Sequence, residues 1–404
     1  MNRYILQYTT YILGAVMALT LAACNDPDEP SHKPEICPPA TAARTVLVYQ
    51  VANNNLGTPT AGYDVADLDE MISAAKAGHI GEGNRLLVYR APYRTAPFML
   101  ELSKDGVDTL KHYSSDTLSV DSRRMSQVLK DMSALAPADS YGMIFWSHGT
   151  GWIQDGMEAP DSGTKRSFGY DGGRTMNITT LASVLEDGPS FDWLYFDCCH
   201  MASVETLYEL RHTAPLIVGS ATELPVDGMP YQLNIKEFFR IGDADLIRAA
   251  TNTFDSYNSL TGMYRTCTMS VVDTRGLDAL AAATAAIYDA SPVAMPEGYT
   301  AQRFEDQTQA QCRYFDFAHY VEALCVDDNG DPRFDGAIAL LADFRAALDD
   351  CVLYRAATPR LWDRFDLTYH CGMSTYIIQK PSNYSYRNYN TLAWYSDVAA
   401  KLIK

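Results

Sequence analysis

Two short, mostly apolar runs constrain this chain more than any other feature: residues 141–146 (YGMIFW) and 191–196 (FDWLYF). Each is long enough for a buried strand, and each stops abruptly in residues that can do chemistry. The first runs into Ser147, His148, Gly149, Thr150 and Gly151, the second into Asp197, Cys198, Cys199 and His200. In α/β proteins the carboxyl ends of the strands form the edge at which ligands bind. Two such strands could therefore deliver a histidine and a thiol to one sheet edge.

The rest of the chain supplies a sheet and its cover. Residues 45–51, 85–89, 98–102, 214–220 and 268–273 are further strand candidates, and the Asn53-Asn54-Asn55 run breaks the first. Helical spacing marks 64–77, where Val65, Leu68, Met71, Ile72 and Ala75 form the apolar set. It also marks 120–135, with Asp121 near its start, and 178–185. Residues 201–213 follow the thiols as a helix, and 153–174 is a long Gly-, Asp- and Ser-rich loop. Beyond 235 helices dominate: 235–253, 276–288, 302–325 and 337–352, then a strand over 374–379 and a helix over 390–402. Strands alternating with helices predict an α/β fold with a largely parallel sheet covered on both faces. A mainly helical C-terminal region, 276–404, is expected to pack on a core of 44–275.

Composition narrows the partners. The 404 residues are 47% apolar, as in an ordinary globular chain, and the formal charge of −18 argues against a nucleic-acid backbone as partner. Residues 1–24 carry a thin positive start at Arg3 and an apolar stretch over 11–21, ending in Leu21-Ala22-Ala23-Cys24. This is similar to the lipobox of bacterial lipoproteins, with Cys24 the lipidated residue and 25–43 a flexible, Pro- and acid-rich tether. The expected location is the cell envelope, lipid-anchored, in the outer membrane of a Gram-negative bacterium. Eight further cysteines are irregularly spaced and include no CxxC pair, so neither a disulfide framework nor a zinc ribbon is expected. Cys198, Cys199 and His200 cannot close on one ion by themselves, because adjacent side chains at a strand end diverge. VDDNGDP (326–332) lacks the spacing of an EF-hand.

A thiol becomes a nucleophile when a neighbouring imidazole takes its proton. His148 and Cys199 meet that need if the two strands adjoin. The glycines after His148 would let backbone N–H groups reach an oxyanion. Cys199 at the start of a helix would feel a dipole that favours the thiolate. Ser147 lacks the GxSxG setting of a serine nucleophile.

At this point the sequence resembles the clostripain family of cysteine peptidases, which share the caspase-like α/β/α sandwich. The matching stretches are TVLVYQVANNNL (45–56), YGMIFWSHGTGW (141–152), RSFGYDGG (166–173), FDWLYFDCCHMASVETLYEL (191–210), GSATELPVDGMPY (219–231) and, more loosely, 373–395. The resemblance implies an endopeptidase cutting after Arg or Lys through a His148–Cys199 dyad and a thioester acyl-enzyme. Cys198 then fills the small-residue place before the nucleophile. Asp197 and Asp227 would line the pocket for the basic side chain, and Gly149 and Cys199 would supply the oxyanion N–H groups. Lys165 and Arg166 would suit self-cleavage in the loop between His and Cys. No cofactor is required; some family members depend on calcium, but no ligand set is legible. His200 departs from the family's apolar residue there, and could tune the thiol or lie exposed. The competing readings are an inactive relative kept as a surface-binding lipoprotein, and an amidase or transpeptidase using the same dyad.

Overall fold

β-branched and aromatic side chains alternate along the first strand so that both faces are covered. Val46 and Val48 enter one core, and Leu47, Tyr49 and Val51 the other. The computed structural model describes residues 39–153, 167–240, 242–306, 308, 312–378 and 389–403. The expectations at Cys24, in the leader and most of the tether, and at Lys165 and Arg166 lie outside these residues.

The main sheet has nine strands in the order β12-β10-β9-β8-β5-β1-β2-β3-β4. They are β1 (Ala42–Val51), β2 (Asn84–Ala91), β3 (Phe98–Ser103), β4 (Gly106–His112), β5 (Ala138–Trp146), β8 (Trp193–Asp197), β9 (Leu216–Gly219), β10 (Thr268–Asp273) and β12 (Val352–Ala357). A small hairpin of β6 (Phe168–Asp171) and β7 (Arg174–Met176) and the short strand β11 (Phe315–Asp316) lie outside it. From β9 through β8, β5 and β1 to β2 every pairing is parallel; the outer pairings are antiparallel. One face is covered by α1 (Tyr63–Lys76), α5 (Tyr231–Phe238) and α6 (Leu246–Asn258). The other is covered by α2 (Ser122–Leu135), α3 (Ile178–Glu186), α4 (Val204–Glu209) and α7 (Leu277–Ala290), with α8 (Phe317–Cys325) and α9 (Ala337–Cys351) in the same core. The fold is the α/β/α sandwich expected.

Several elements differ from expectation. The helix expected over 235–253 is two helices, broken at Gly242, whose φ of +85° suits glycine. The guanidinium of Arg44 accounts for the break, because it donates to the carbonyls of Phe238, Arg240 and Gly242. Of the described residues in 302–325, Phe317–Cys325 are helical, and Asp316 caps that helix by accepting from the His319 N–H. The C-terminal helix shrinks to Ala393–Asp397 and a 3₁₀ turn, and among the described residues of the strand over 374–379 only Ser374–Thr375 pair. The long loop contains the β6–β7 hairpin, and Val65, placed in the apolar set of α1, is 49% exposed. β4 and β12 were not expected; both are half-exposed sheet edges, and the short Val352-Leu353-Tyr354 run of β12 follows directly on α9. Strand β1 begins at Ala42, inside the segment read as tether.

Candidate functional site

Strands β5 and β8 lie side by side and parallel, with Trp146 opposite Asp197. Ser147-His148 and Cys198-Cys199 therefore leave the sheet together at its carboxyl edge. The strand order reverses between β1 and β5, and such a switch point opens a crevice for ligands. A cavity of about 40 Å³ sits there, with His148, Asp197, Cys199, Leu224 and Gly228 among its walls.

The two thiols are not equivalent. Cys198 is 2% exposed, donates to the Phe145 carbonyl, and is pushed well above the usual thiol range by burial. A buried neutral thiol is inert. Cys199 is half-buried and lines the cavity, and the Leu224 N–H donates to its sulfur at 3.4 Å. Its helix does not begin where expected. Ser203 accepts from the Thr206 N–H and caps α4 at Val204, so Cys199 sits in a preceding turn and not at the start of the helix. In that turn His200 has φ +58°, is buried, and stacks on Tyr314 at 3.9 Å with its Nδ1 against the Ala221 carbonyl. It is therefore not exposed, and burial lowers its pKa, which favours the neutral ring.

Close backbone approach explains Gly149. A Cβ there would lie 2.6 Å from the Cys199 carbonyl oxygen and 2.9 Å from Cys198 Cβ. Gly149 pairs with Phe168 through the N–H groups of Thr150 and Gly169, a pattern that leaves its own N–H out of that ladder. His148 is half-buried, and its Nε2 lies 2.7 Å from Asn55 Oδ1.

Beneath the thiol lies an acid pair. Asp197, 6% exposed, accepts from the Met229 N–H at 3.1 Å. Gly228 folds so tightly over it that a Cβ would sit 2.7 Å from its Oδ2. Asp67 on α1, 4% exposed, accepts from Trp146 Nε1. Burial and then the charge of Asp197 push Asp67 far above the usual carboxylate range; burial raises Asp197 as well, against the pull of the Met229 N–H. Asp227 is exposed on the 224–230 loop and is near enough to raise Asp67 further. Among the described residues no basic side chain pairs with Asp67 or Asp197, and no group of three His, Cys, Asp or Glu is placed to hold a metal ion.

Sequence reasoning missed Asp67 although a signal existed. Asp64 and Asp67 share the buried side of α1 with Leu68 and Met71, charges within an apolar stripe. Asp64 is neutralised by Arg90 at 2.5 Å; Asp67 has no such partner. Asn55 entered the sequence reading only within a strand breaker and the matching stretch 45–56, with no role of its own.

The clostripain family profile matches residues 48–402. Among curated proteins none matches. An inactive zymogen C11 protease from Parabacteroides distasonis is 28% identical, over 89% of this chain and 99% of that one, with a TM-score of 0.73. A secreted C11 cysteine protease from Bacteroides thetaiotaomicron, in complex with an irreversible peptide inhibitor, is 26% identical over 88% and 99%, with a TM-score of 0.72. A further C11 protease from that organism, at 22% identity and a TM-score of 0.73, shares the fold. With the profile spanning most of its length, this chain belongs to the clostripain family and is a cysteine peptidase.

Proposed function

We propose that this peptidase cuts after Arg or Lys, with Cys199 as nucleophile and His148 as general base and acid. The observation that carries this reading is Asp197 in the wall of a cavity beside the thiol, with Asp67 close enough to feel its charge and no basic partner for either among the described residues. Two carboxylates in one buried site resist joint ionisation, and an entering cation removes the penalty. A guanidinium or ammonium at Asp197 gains charge-assisted hydrogen bonds that a neutral side chain cannot make. Asp227, on the exposed loop, would meet the same cation from the solvent side.

The chemistry follows from the dyad. The Cys199 proton passes to His148, and the sulfur attacks the scissile carbonyl carbon, forming a C–S bond. Negative charge moves to the carbonyl oxygen, where the N–H groups of Gly149 and Cys199 would receive it. The oxyanion collapses, the C–N bond breaks, and the imidazolium gives its proton to the departing amine. Water, deprotonated by the imidazole, then attacks the thioester and releases the acid, returning a proton to the sulfur. No cofactor enters these steps, so turnover is expected to persist in EDTA, which would also expose any calcium dependence. The cavity holds no more than a few waters as it stands, so the 224–230 loop must yield to admit a basic side chain.

The lipid anchor at Cys24, an envelope location, and self-cleavage at Lys165 or Arg166 remain parts of this proposal resting on sequence. No helix of the described residues is long and apolar enough to cross a membrane. The deciding assay is turnover of fluorogenic peptides ending in Arg, Lys, Asp or Leu by wild type, Cys199→Ala and Cys198→Ala. Cleavage after Arg or Lys, lost only in Cys199→Ala, is expected; cleavage after Asp or Leu alone would overturn the specificity.

A further inference from the structure

We propose that Asn55 is a positioning residue for the general base, holding His148 in the tautomer that offers an unprotonated Nδ1 to the thiol. The inference rests on the reading of His148 as the base. The amide oxygen of Asn55 lies 2.7 Å from Nε2. An amide oxygen only accepts, so Nε2 carries the proton. A neutral imidazole has one N–H, and Nδ1 is then the nitrogen with the lone pair.

The Asn53-Asn54-Asn55 run is built to aim this one side chain. It leaves β1 at the switch point, directly beside the end of β5. Asn53 is tied down at both ends of its amide, donating to Asp171 Oδ1 at 2.7 Å and accepting from the Arg94 N–H at 2.8 Å. Buried Asn54 accepts from the Leu56 N–H and donates to the carbonyls of Val51 and Tyr170, each at 2.9 Å. Gly57 closes the turn against β1, where a Cβ would fall 2.1 Å from the Ala52 carbonyl oxygen. Two anchored asparagines thus hold a short 3₁₀ turn whose third asparagine turns to the histidine. An orienting partner of this kind fixes the tautomer, and it continues to accept from Nε2–H when the ring becomes an imidazolium.

The titratable groups around the histidine bear on the test. Tyr170 stands edge-on at 6.4 Å, and Cys198, Cys199 and Asp197 share the cavity wall. Asn55 is the side chain that meets the ring at Nε2, so its substitution acts on that contact directly.

The experiment compares wild type, Asn55→Ala, Asn55→Asp and Cys199→Ala in the full chain, with an Arg peptide and with nitrogen-15 NMR of His148. Asn55→Ala is expected to lower kcat ten- to a hundredfold with KM within twofold and melting temperature unchanged. The NMR signal should move from the Nε2–H tautomer toward a mixture. Asn55→Asp should restore part of kcat and move the pH limb that reports the imidazole upward, because a carboxylate favours the charged ring. Wild-type kcat in Asn55→Ala with an unchanged tautomer would overturn the proposal, as would a rise in KM alone. If Cys199→Ala keeps its activity, the dyad reading itself fails, while the NMR tautomer still judges Asn55 separately.

Discussion

Two buried carboxylate sites flank the turn that carries Cys199, and they make opposite use of the same physics. Glu205, fully buried on α4, is pushed up to about 7 by burial. Three donors converge on its Oε1: the Tyr376 N–H at 2.7 Å, the Thr375 hydroxyl at 2.9 Å and the Tyr389 hydroxyl at 3.2 Å. It fastens the C-terminal segment behind the turn that carries Cys199. Asp197 and its neighbour Asp67 are raised by burial too, but Asp197 borders a cavity and each has few donors. A shifted carboxyl therefore does not identify a substrate site. The cavity beside Asp197 is what sets the two sites apart.

The sharpest test of that contrast is Asp197→Asn. It should lower kcat/KM for Arg and Lys peptides at least a hundredfold, on the order of 3 kcal/mol, because the cation loses its partner. The melting temperature should hold or rise, and a fall of several degrees would place Asp197 with Glu205 as a fastener. Next comes Glu205→Ala, expected to cost about 2–4 kcal/mol in urea unfolding by stranding three donors, with KM unmoved. A raised KM with intact stability would break the comparison from the other side.

The pH dependence of stability separates the two sites further. A carboxyl whose folded value is raised binds its proton more tightly folded than unfolded, so it costs stability as pH climbs. For Glu205 that cost should grow from about pH 4.5 to about 7 and then level off, and Glu205→Gln should remove it. Asp67→Asn should stabilise the protein by about 1–2 kcal/mol at pH 8 and not below about pH 4, with KM for Arg peptides raised several-fold. The smallest effect is expected at Cys198→Ala: kcat within twofold, and stability lower by about 1 kcal/mol for a lost buried sulfur.

What could be read in advance depended on whether the signal was local. Strands β1, β5, β8 and β10 are apolar runs flanked by breakers, and α2, α3, α7 and α9 show helical spacing with plain ends. The pairing of His148 with Cys199 at one edge followed from two such strands. Long-range contacts hid the rest. Arg44 holds the break between α5 and α6 from nearly two hundred residues away, and within 235–253 only Gly242 hints at it. His200 is exposed or buried according to whether Tyr314 stacks on it. Asp67 shows locally only as a charge in an apolar stripe, and its partner, like that of Asn55, appears when α1 and the 3₁₀ turn reach Trp146 and His148.

The strand order also carries a history. Reading outward from β1, the chain lays β2, β3 and β4 in succession on one side. It then crosses and lays β5, β8, β9, β10 and β12 in succession on the other. Every strand docks on an edge already present, and none must be inserted between two neighbours. A polypeptide emerging from its N-terminus can thus extend the sheet by accretion, without reopening finished pairs. The histidine and cysteine strands join as consecutive additions midway. The edge that bears the thiol stays uncapped until β9 and β10 arrive, so the nascent chain is most vulnerable to intermolecular pairing in that interval.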